Sequence, residues 1–275
     1  MSIAESQRRS GPGGRNVVVT GASSGIGAAI VELFDRDGDV VWMLDRNPRA
    51  DGRPVITCDL ADPTSRQDAV AQLPDAIDVV INAAGVSGSG GPAFTLAVNF
   101  YGLRDLTERL LPRMTQGGAV INVASTAGWY WRDHLSDIRA LIGAITPGEI
   151  DAVISERIPD GYTAYARSKE AVIVWTAVAA QQHLGSVRCN SVSPGITETP
   201  LLAEFYESMG REELDPLTAR AGGRNGTPGE VANVVHFLAS PAASWVNGID
   251  IPVDHGAETA EFLAAHGVIA PIGAA

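Results

Sequence analysis

The sequence predicts a single α/β domain in which helices cover both faces of a doubly wound parallel sheet. Short apolar segments rich in β-branched residues alternate with longer segments of helical periodicity from residue 16 to residue 253. A glycine-rich turn at 20–27 joins the first apolar segment to the first helical one. The 275 residues and 45% hydrophobic content suffice for one large core, and the chain shows no internal repeat or domain-splitting linker.

The elements follow this alternation in order. Apolar runs bounded by turn residues predict strands at 16–20, 40–44, 55–58, 78–81, 119–124, 187–192 and 249–253. Helices are predicted from the glycine-rich turn to about residue 37, and at 94–114 and 163–183. Two more helices begin at the cap and proline pairs Asp62-Pro63 and Thr227-Pro228, the second ending near Ser240.

Composition excludes several classes of function. The net charge of -12 repels phosphate backbones and anionic lipid, so we expect neither a nucleic-acid nor a membrane partner. Cys58 and Cys189 stand far apart and the five histidines share no ligand spacing, so we expect no disulfide framework and no metal. Residues 1–15 lack an apolar core and are interpreted as a flexible leader, consistent with a cytoplasmic protein.

The turn TGASSGIG at 20–27 has the properties of a phosphate-binding loop. Its glycines permit close approach to a pyrophosphate, and the helix that follows presents unpaired N–H groups to it. Asp45 ends the second predicted strand, 20 residues after Gly25. A carboxylate there accepts ribose hydroxyls and repels a 2′-phosphate, which favours NAD over NADP. Arg46 partly offsets that repulsion, and the alternative is an ordinary turn beside a solvated acid.

The segment YARSK places Tyr165 and Lys169 at i and i+4, on one face of a predicted helix. A nearby ammonium favours the phenolate, so we expect Lys169 to lower the pKa of Tyr165 from its usual value near 10 and to make it a general acid and base. Tyr162 lies one turn earlier but has Ala166 four residues on, so we reject it for this role.

With these motifs the chain resembles the short-chain dehydrogenase/reductase family over residues 15–256. The cofactor motif TGxxxGxG stands intact at 20–27, followed by CDL at 58–60, NAAG at 82–85, VNFYG with Asn99, and SPG at 193–195. The resemblance implies a Rossmann-type fold, direct hydride transfer without a metal, and a catalytic set of Asn99, Ser125, Tyr165 and Lys169. Ser125 would hydrogen-bond the substrate oxygen, with the neighbouring Thr126 as a rival hydroxyl, and Asn99 would hold a water that links Lys169 to solvent.

The resemblance also implies a set of cofactor-binding residues. These are Gly21, Ser23, Ser24, Gly25, Ile26, Gly27, Asp45, Arg46, Asp59, Leu60, Asn82, Ala83, Ala84, Gly85, Tyr165, Lys169, Pro194, Gly195, Ile196, Thr197 and Thr199.

An insertion at 126–162 separates Ser125 from Tyr165. Apolar stripes in it predict two short amphipathic helices over the substrate cleft, with a purely structural extension or an oligomer contact as the alternative. The insertion resembles that of bacterial 3α-hydroxysteroid and coniferyl-alcohol dehydrogenases. KEAVIVWTAVAAQ at 169–181 and WVNGIDIPVD at 245–254 resemble the coniferyl-alcohol type, whereas ETPLL at 198–202 is shared with the steroid type.

The aromatic stretch GWYWRDH at 128–134 opens this insertion. If it is extended, Trp129 and Trp131 share one face and form an aromatic wall for the substrate, and Tyr130 points elsewhere. We therefore expect Ser125, Trp129, Trp131, Tyr165 and Leu201 to contact the substrate, residues 200–222 to form a lid, and residues 257–275 to form a C-terminal tail.

These features predict an NAD-dependent oxidoreductase that interconverts a small hydrophobic, aromatic alcohol and its carbonyl compound. A 3α-hydroxysteroid dehydrogenase/carbonyl reductase is one alternative, and a non-catalytic NAD(H)-binding regulator is another from a different class. By resemblance, the chain is expected to form a homodimer or homotetramer.

Overall fold

The structure, a computed structural model, describes residues 14–270, so nearly all of the predicted leader lies outside the described residues. Within them, seven parallel strands form one sheet in the order β3-β2-β1-β4-β5-β6-β7. The strands are β1 (Asn16–Thr20), β2 (Val40–Asp45), β3 (Ile56–Thr57), β4 (Ile77–Asn82), β5 (Met114–Val123), β6 (Val187–Pro194) and β7 (Asp250–Val253). The predicted doubly wound sheet is confirmed.

The helices of the described residues are α1 (Gly25–Arg36), α2 (Pro63–Ala71), α3 (Pro92–Leu96), α4 (Leu103–Leu110), α5 (Leu135–Gly143), α6 (Pro147–Arg157), α7 (Gly161–Gln182), α8 (Pro200–Met209), α9 (Arg211–Arg220), α10 (Pro228–Ala239) and α11 (Ala257–Ala265). None of them is long and apolar enough to cross a membrane.

Two apolar layers bury the sheet, one on each face. Side chains alternate across a strand, so Val17 and Val19 of β1 pack with α1 and α10, whereas Val18 packs with α4 and α7. The strand order reverses between β1 and β4, and ligands of open α/β sheets bind at the carboxyl ends of the strands beside such a reversal. The fold therefore places a cleft where β1, β2, β4 and β5 end.

The long helix predicted at 94–114 is wrong in two respects. Residues 97–102 form a π-helix between α3 and α4, and the helix ends in a 3₁₀ turn at Leu111–Arg113. Pro112 lacks the N–H that would continue the helix, and β5 already begins at Met114. Helical periodicity alone did not reveal either change.

The insertion contains the two predicted helices, α5 and α6, but their position differs from the one expected. Ile138 and Leu141 of α5 are buried in the core layer of α4 and α7. The Tyr101 hydroxyl donates to the Leu141 carbonyl at 3.1 Å, and Arg104 Nη1 donates to the Ile142 carbonyl at 2.7 Å. No residue of α5 or α6 lines the cleft in the part of the chain that the structure describes. The insertion covers the flank of the domain because its apolar stripe packs there.

Glycines fix both ends of the insertion against the rest of the domain. A Cβ atom on Gly128 would lie 2.7 Å from Ile173 Cδ1 of α7, and one on Gly161 would lie 1.9 Å from the Gly88 carbonyl oxygen. At Gly161 the contact is with backbone and only glycine permits it, whereas at Gly128 a larger residue would have to displace the tip of the Ile173 side chain. The chain therefore leaves the framework at Gly128 and rejoins it at Gly161, four residues before Tyr165.

Candidate active site

The cleft at the carboxyl ends of the strands is a cavity of about 700 Å³. Its inner end is formed by the glycine-rich turn between β1 and α1. Gly21 has φ +68, and a Cβ atom there would lie 2.7 Å from Ala84 Cα, while one on Gly27 would lie 2.1 Å from the Gly21 carbonyl oxygen. Ser24 caps α1 without a side-chain hydrogen bond, which leaves the first N–H groups of the helix for a ligand.

The carboxylate of Asp45 is held at the end of β2. Its Oδ1 accepts the Asn47 N–H at 2.9 Å and its Oδ2 accepts the Ser23 N–H at 3.0 Å. A carboxylate oxygen accepts more than one hydrogen bond, so both oxygens retain capacity for ribose hydroxyls. The tight turn, the open helix start and this carboxylate together fit a dinucleotide.

Most of the predicted cofactor residues line this cleft. They are Gly21, Ser24, Gly25, Ile26, Gly27, Asp45, Arg46, Asp59, Leu60, Ala83, Ala84, Gly85, Tyr165, Lys169, Pro194, Gly195, Ile196, Thr197 and Thr199. Two predicted residues do not line it. Ser23 Oγ donates to the Asn47 carbonyl at 2.7 Å and so supports the Asp45 loop. Asn82 is buried below the cleft, where its amide donates to Thr107 and Asn122 at 2.8 Å.

Ser125, Tyr165 and Lys169 converge on the cleft. Ser125 follows β5, and its hydroxyl is close enough to that of Tyr165 on α7 to lower the pKa of Tyr165. Lys169 Nζ lies 5.7 Å from the centre of the Tyr165 ring and donates to the Val123 carbonyl at 3.1 Å. Thr126 also lines the cleft, but Ser125 and not Thr126 acts on the pKa of Tyr165, whereas the Thr126 hydroxyl acts on that of Glu258. Tyr162 lines the cleft too, with 61% of its surface exposed.

Burial has the largest effect on the pKa values of Tyr165 and Lys169. It raises the pKa of Tyr165, an effect that the nearby Ser125 hydroxyl opposes. The direction is opposite to the one expected from sequence, because desolvation disfavours the phenolate. Burial also lowers the pKa of Lys169 to about 8, so its amine is still mostly protonated at neutral pH.

Asn99 lies on the π-helix directly behind Gly85 and Lys169. Its Oδ1 accepts the Val86 N–H at 2.9 Å, and its amide donates to the Val86 carbonyl at 3.0 Å and to Ser168 Oγ at 3.2 Å. Asn99 is fully buried and does not line the cleft. The extra residue of a π-turn is frequent at functional sites, and here it brings the amide to the loop after β4.

The prediction from GWYWRDH named the wrong residues for the aromatic wall. Trp129 and Trp131 do not line the cleft, whereas Tyr130 does. The stretch is a series of tight turns, so the two-residue alternation of a strand does not apply. Trp131 packs against the core beneath Arg132, whose guanidinium lies 4.1 Å from the ring. His134 Nδ1 lies 2.7 Å from Glu170 Oε1 and attaches the turn to α7.

Residues 200–222, predicted to form a lid, contain α8 and α9, and both helices line the substrate side of the cleft. Leu201 lines the cleft as predicted, and the Phe205 ring meets the Tyr165 ring edge-on at 5.0 Å. Ser87, fully buried in the loop after β4, donates to Glu204 Oε2 at 2.6 Å. This hydrogen bond holds the lid against the loop that follows the NAAG motif.

Sequence reasoning missed the contribution of the C-terminal segment. Residues 257–265 form α11, which places Glu258 and Glu261 in the cleft of the same chain. Arg220 of α9 donates to Glu261 at 2.7 Å and attaches α11 to the lid. Acidic spacing at i and i+3 was visible in the sequence, but nothing in it indicated which surface this helix would cover. Residues 271–275 of the predicted tail lie outside the described part.

Comparisons with known proteins agree with this site. Two family models match, one described as short chain dehydrogenase over residues 15–136 and one as Enoyl-(Acyl carrier protein) reductase over residues 149–258. The chain is 37% identical over 245 residues to a coniferyl-alcohol dehydrogenase of Pseudomonas sp. (strain HR199 / DSM 7063), covering 88% of this chain and 96% of that protein.

Two further relatives are dehydrogenases that act on steroids. A 3-alpha-hydroxysteroid dehydrogenase/carbonyl reductase of Comamonas testosteroni is 29% identical over 254 residues, covering 87% of this chain and 95% of that protein. The crystal structure of a 3-alpha-hydroxysteroid dehydrogenase from Pseudomonas sp. B-0831 with NADH superposes with a TM-score of 0.77 and 30% identity, covering 91% of this chain and 98% of that one.

The fold and the lining of the cleft identify the chain as an oxidoreductase that uses a nicotinamide cofactor. Its relatives that bind a dinucleotide have the same fold. The chain belongs to the short-chain dehydrogenase/reductase family and is an NAD(P)-dependent alcohol dehydrogenase/ketoreductase of that type.

Proposed function

We propose that the chain uses NAD to interconvert a hydrophobic, aromatic alcohol and its carbonyl compound. The observation that carries this proposal is the convergence of Ser125, Tyr165 and Lys169 on a cleft whose other end holds Asp45. A non-catalytic binding protein needs no such set, and the relatives named above are oxidoreductases.

In the proposed mechanism the Ser125 hydroxyl holds the substrate oxygen and Tyr165 exchanges its proton. During oxidation the Tyr165 phenolate takes the hydroxyl proton as the C–H bond breaks, and during reduction the phenol returns it. The Lys169 ammonium favours the phenolate against the burial that disfavours it. Asn99 keeps the loop after β4 beside Lys169 and would hold a water there. A bound nicotinamide supplies the acceptor or donor of the hydride.

The preference for NAD rests on Asp45. Its carboxylate lies at the end of β2, where the hydroxyls of an adenine ribose are bound in this fold, and its charge disfavours a 2′-phosphate. Arg46 also lines the cleft and would offset part of this preference.

An aromatic substrate is supported by the lining of the outer cleft and by the coniferyl-alcohol dehydrogenase relative. Rings and apolar side chains from the turn, α7 and the lid face it: Tyr130, Tyr162, Leu201, Phe205, Leu214 and Leu217. A steroid alcohol is the second candidate, because the solved structure with the TM-score of 0.77 is a 3-alpha-hydroxysteroid dehydrogenase. NADH formation with benzyl, cinnamyl and 3α-hydroxysteroid alcohols separates the two.

The variant Tyr165→Phe tests the proposed chemistry. We expect kcat to fall by about 10²–10⁴-fold because the general acid and base is lost, while NADH still binds. Tyr162→Phe is the matched control, since this tyrosine lies on the same helix and lines the same cleft. NADH fluorescence titration and turnover are measured on both variants. Retained turnover in Tyr165→Phe, or an equal loss in Tyr162→Phe, contradicts the assignment.

We also propose that the chain forms a homodimer or homotetramer in the cytoplasm. Two apolar side chains that directly precede β7, the edge strand of the sheet, are exposed: Trp245 at 98% and Ile249 at 48%. Both cysteines are buried and unpaired, as suits a reducing compartment. Light scattering of the chain and of Trp245→Lys measures the assembly, and a monomeric parent chain contradicts it.

A further inference from the structure

The charged side chains that α8, α9 and α11 present to the cleft, among a larger number of apolar ones, are predominantly acidic. Five carboxylates form what we call the acidic wall: Glu204, Glu212, Glu213, Glu258 and Glu261. Within residues 14–270, Arg220 is the one cation that these three helices add to the lining. It donates to Glu261 at 2.7 Å and so neutralises one member of the wall.

Glu258 is the member of the wall that lies beside the segment carrying Ser125. It lines the same cleft as Ser125 and Tyr165, and its carboxyl group is close enough to the Thr126 hydroxyl for that hydroxyl to lower its pKa. A substrate whose oxygen reaches the Ser125 and Tyr165 hydroxyls therefore has part of its body next to Glu258. Glu258 forms no ion pair within the described residues, so its charge acts on that body directly.

The surroundings of Glu258 allow this charge to change near neutral pH. Burial raises the pKa of Glu258 to about 7, and the carboxylates of Glu261 and Asp254 act in the same direction. The nearby Thr126 hydroxyl and the charge of Arg220 oppose the rise. Tyr130 faces the same group, and its own pKa is raised by burial and by Glu261 and Glu258. Below pH 7 the side chain of Glu258 is a neutral acid, and above it a carboxylate.

We infer that Glu258 and the acidic wall make the cleft selective for alcohols whose body is uncharged, including those with a hydroxyl group that can donate to the wall, and exclude alcohols that carry a carboxylate or a phosphate. The wall accepts hydrogen bonds from a hydroxyl donor, whereas an anion meets like charge in a partly desolvated site. This inference rests on the proposed function and names the substrate class of the same site.

A matched pair of substrates tests it: 4-hydroxybenzyl alcohol and 4-(hydroxymethyl)benzoate, with unsubstituted benzyl alcohol as the neutral reference. We expect kcat/KM for the phenol to exceed that for the carboxylate by at least about tenfold, from one like charge near the site. Glu258→Gln reduces this ratio by about tenfold. Glu207→Gln removes an exposed carboxylate of α8 that does not line the cleft, and it leaves the ratio unchanged.

The pH dependence of this kcat/KM ratio is a second measurement, and a purely structural role of Glu258 would not change it. The phenol stays neutral and the benzoate stays ionised between pH 6 and 8, so in the parent chain the ratio rises with pH as Glu258 ionises, and in Glu258→Gln it is flat. A ratio near one, or one that Glu258→Gln leaves unchanged, overturns the inference.

Binding separates this inference from the proposed function. If none of these alcohols is oxidised, the proposed function fails. Titration of the NADH complex with the same pair, followed by NADH fluorescence, then still decides the inference: equal affinities for phenol and carboxylate overturn it, and a preference for the phenol that Glu258→Gln removes supports it.

Discussion

The two ends of the cleft are held together in different ways. At the cofactor end, backbone touches backbone: Gly21 lies against Ala84, and Gly27 against the Gly21 carbonyl. At the substrate end, side chains from separate segments meet, as Phe205 does with Tyr165 and Arg220 with Glu261. Backbone contacts admit no added atom, whereas side-chain contacts can be exchanged. The cofactor end is therefore rigidly specified, and specificity for the substrate can change without disturbing it.

The sharpest test of this comparison is Gly27→Ala. The added Cβ would lie 2.1 Å from the Gly21 carbonyl oxygen, so the turn must open. We expect NADH affinity to fall by about 10–100-fold, measured by fluorescence titration. Gly143→Ala is the control, because a Cβ there meets nothing within 4 Å. An unchanged NADH affinity in Gly27→Ala would contradict the view that the cofactor end of the cleft is more rigid than the substrate end.

Asp45→Ala tests whether the cofactor end also sets the choice of nucleotide. Without the carboxylate, one attraction for the ribose hydroxyls and one repulsion of a 2′-phosphate are lost, and Arg46 remains. We expect the ratio of kcat/KM for NAD to that for NADP to fall by at least about tenfold. Steady-state kinetics with both cofactors measures it, and an unchanged ratio removes Asp45 from this role.

At the substrate end, Tyr130→Ala and Trp131→Ala form a matched pair. Tyr130 lines the cleft, so its loss should raise KM for aromatic alcohols by about fivefold, near the energy of one aromatic contact. Trp131 packs on the core, so its loss should lower the free energy of unfolding by about 2 kcal/mol with little effect on kcat/KM. Kinetics and urea unfolding of both variants distinguish them. If Trp131→Ala instead raises KM and Tyr130→Ala lowers the free energy of unfolding, the aromatic wall predicted from the sequence is supported after all.

The smallest effect is expected from the hydrogen bond between Ser87 and Glu204, which joins the predicted lid to the loop after β4. In Glu204→Gln the charged acceptor for Ser87 becomes a neutral amide, which weakens a charge-assisted bond. Opening of a lid often limits turnover, so we expect kcat to change by about two- to threefold while NADH affinity stays constant. Stopped-flow measurement of product release checks this. A large loss of cofactor binding contradicts the separation of the two ends.

Sequence and structure agree best where geometry is local. The turn at 20–27, Asp45 at the end of β2, and Tyr165 with Lys169 on α7 all depend on spacings within one or two adjacent elements. Glu258 could not be predicted, because it reaches the cleft through the packing of a segment far from Ser125 in the chain. Tyr130 was placed on the wrong face because tight turns at 126–134 do not follow the alternation of a strand. The direction of the Tyr165 pKa was missed for a related reason: it depends on burial, which spacing does not contain.

The glycine contacts at Gly128 and Gly161 have a consequence for how this chain can evolve. Both lie on the fixed framework, one against α7 and one against Gly88, and the two insertion helices lie between them. The segment from 129 to 160 is thus a module with two fixed joints. Changes in its exposed residues need not shift Tyr165 relative to Ser125, as long as Ile138 and Leu141 keep their places in the core. Evolution can therefore change this flank of the molecule, and with it the partner that the flank contacts, without changing the geometry of the catalytic residues.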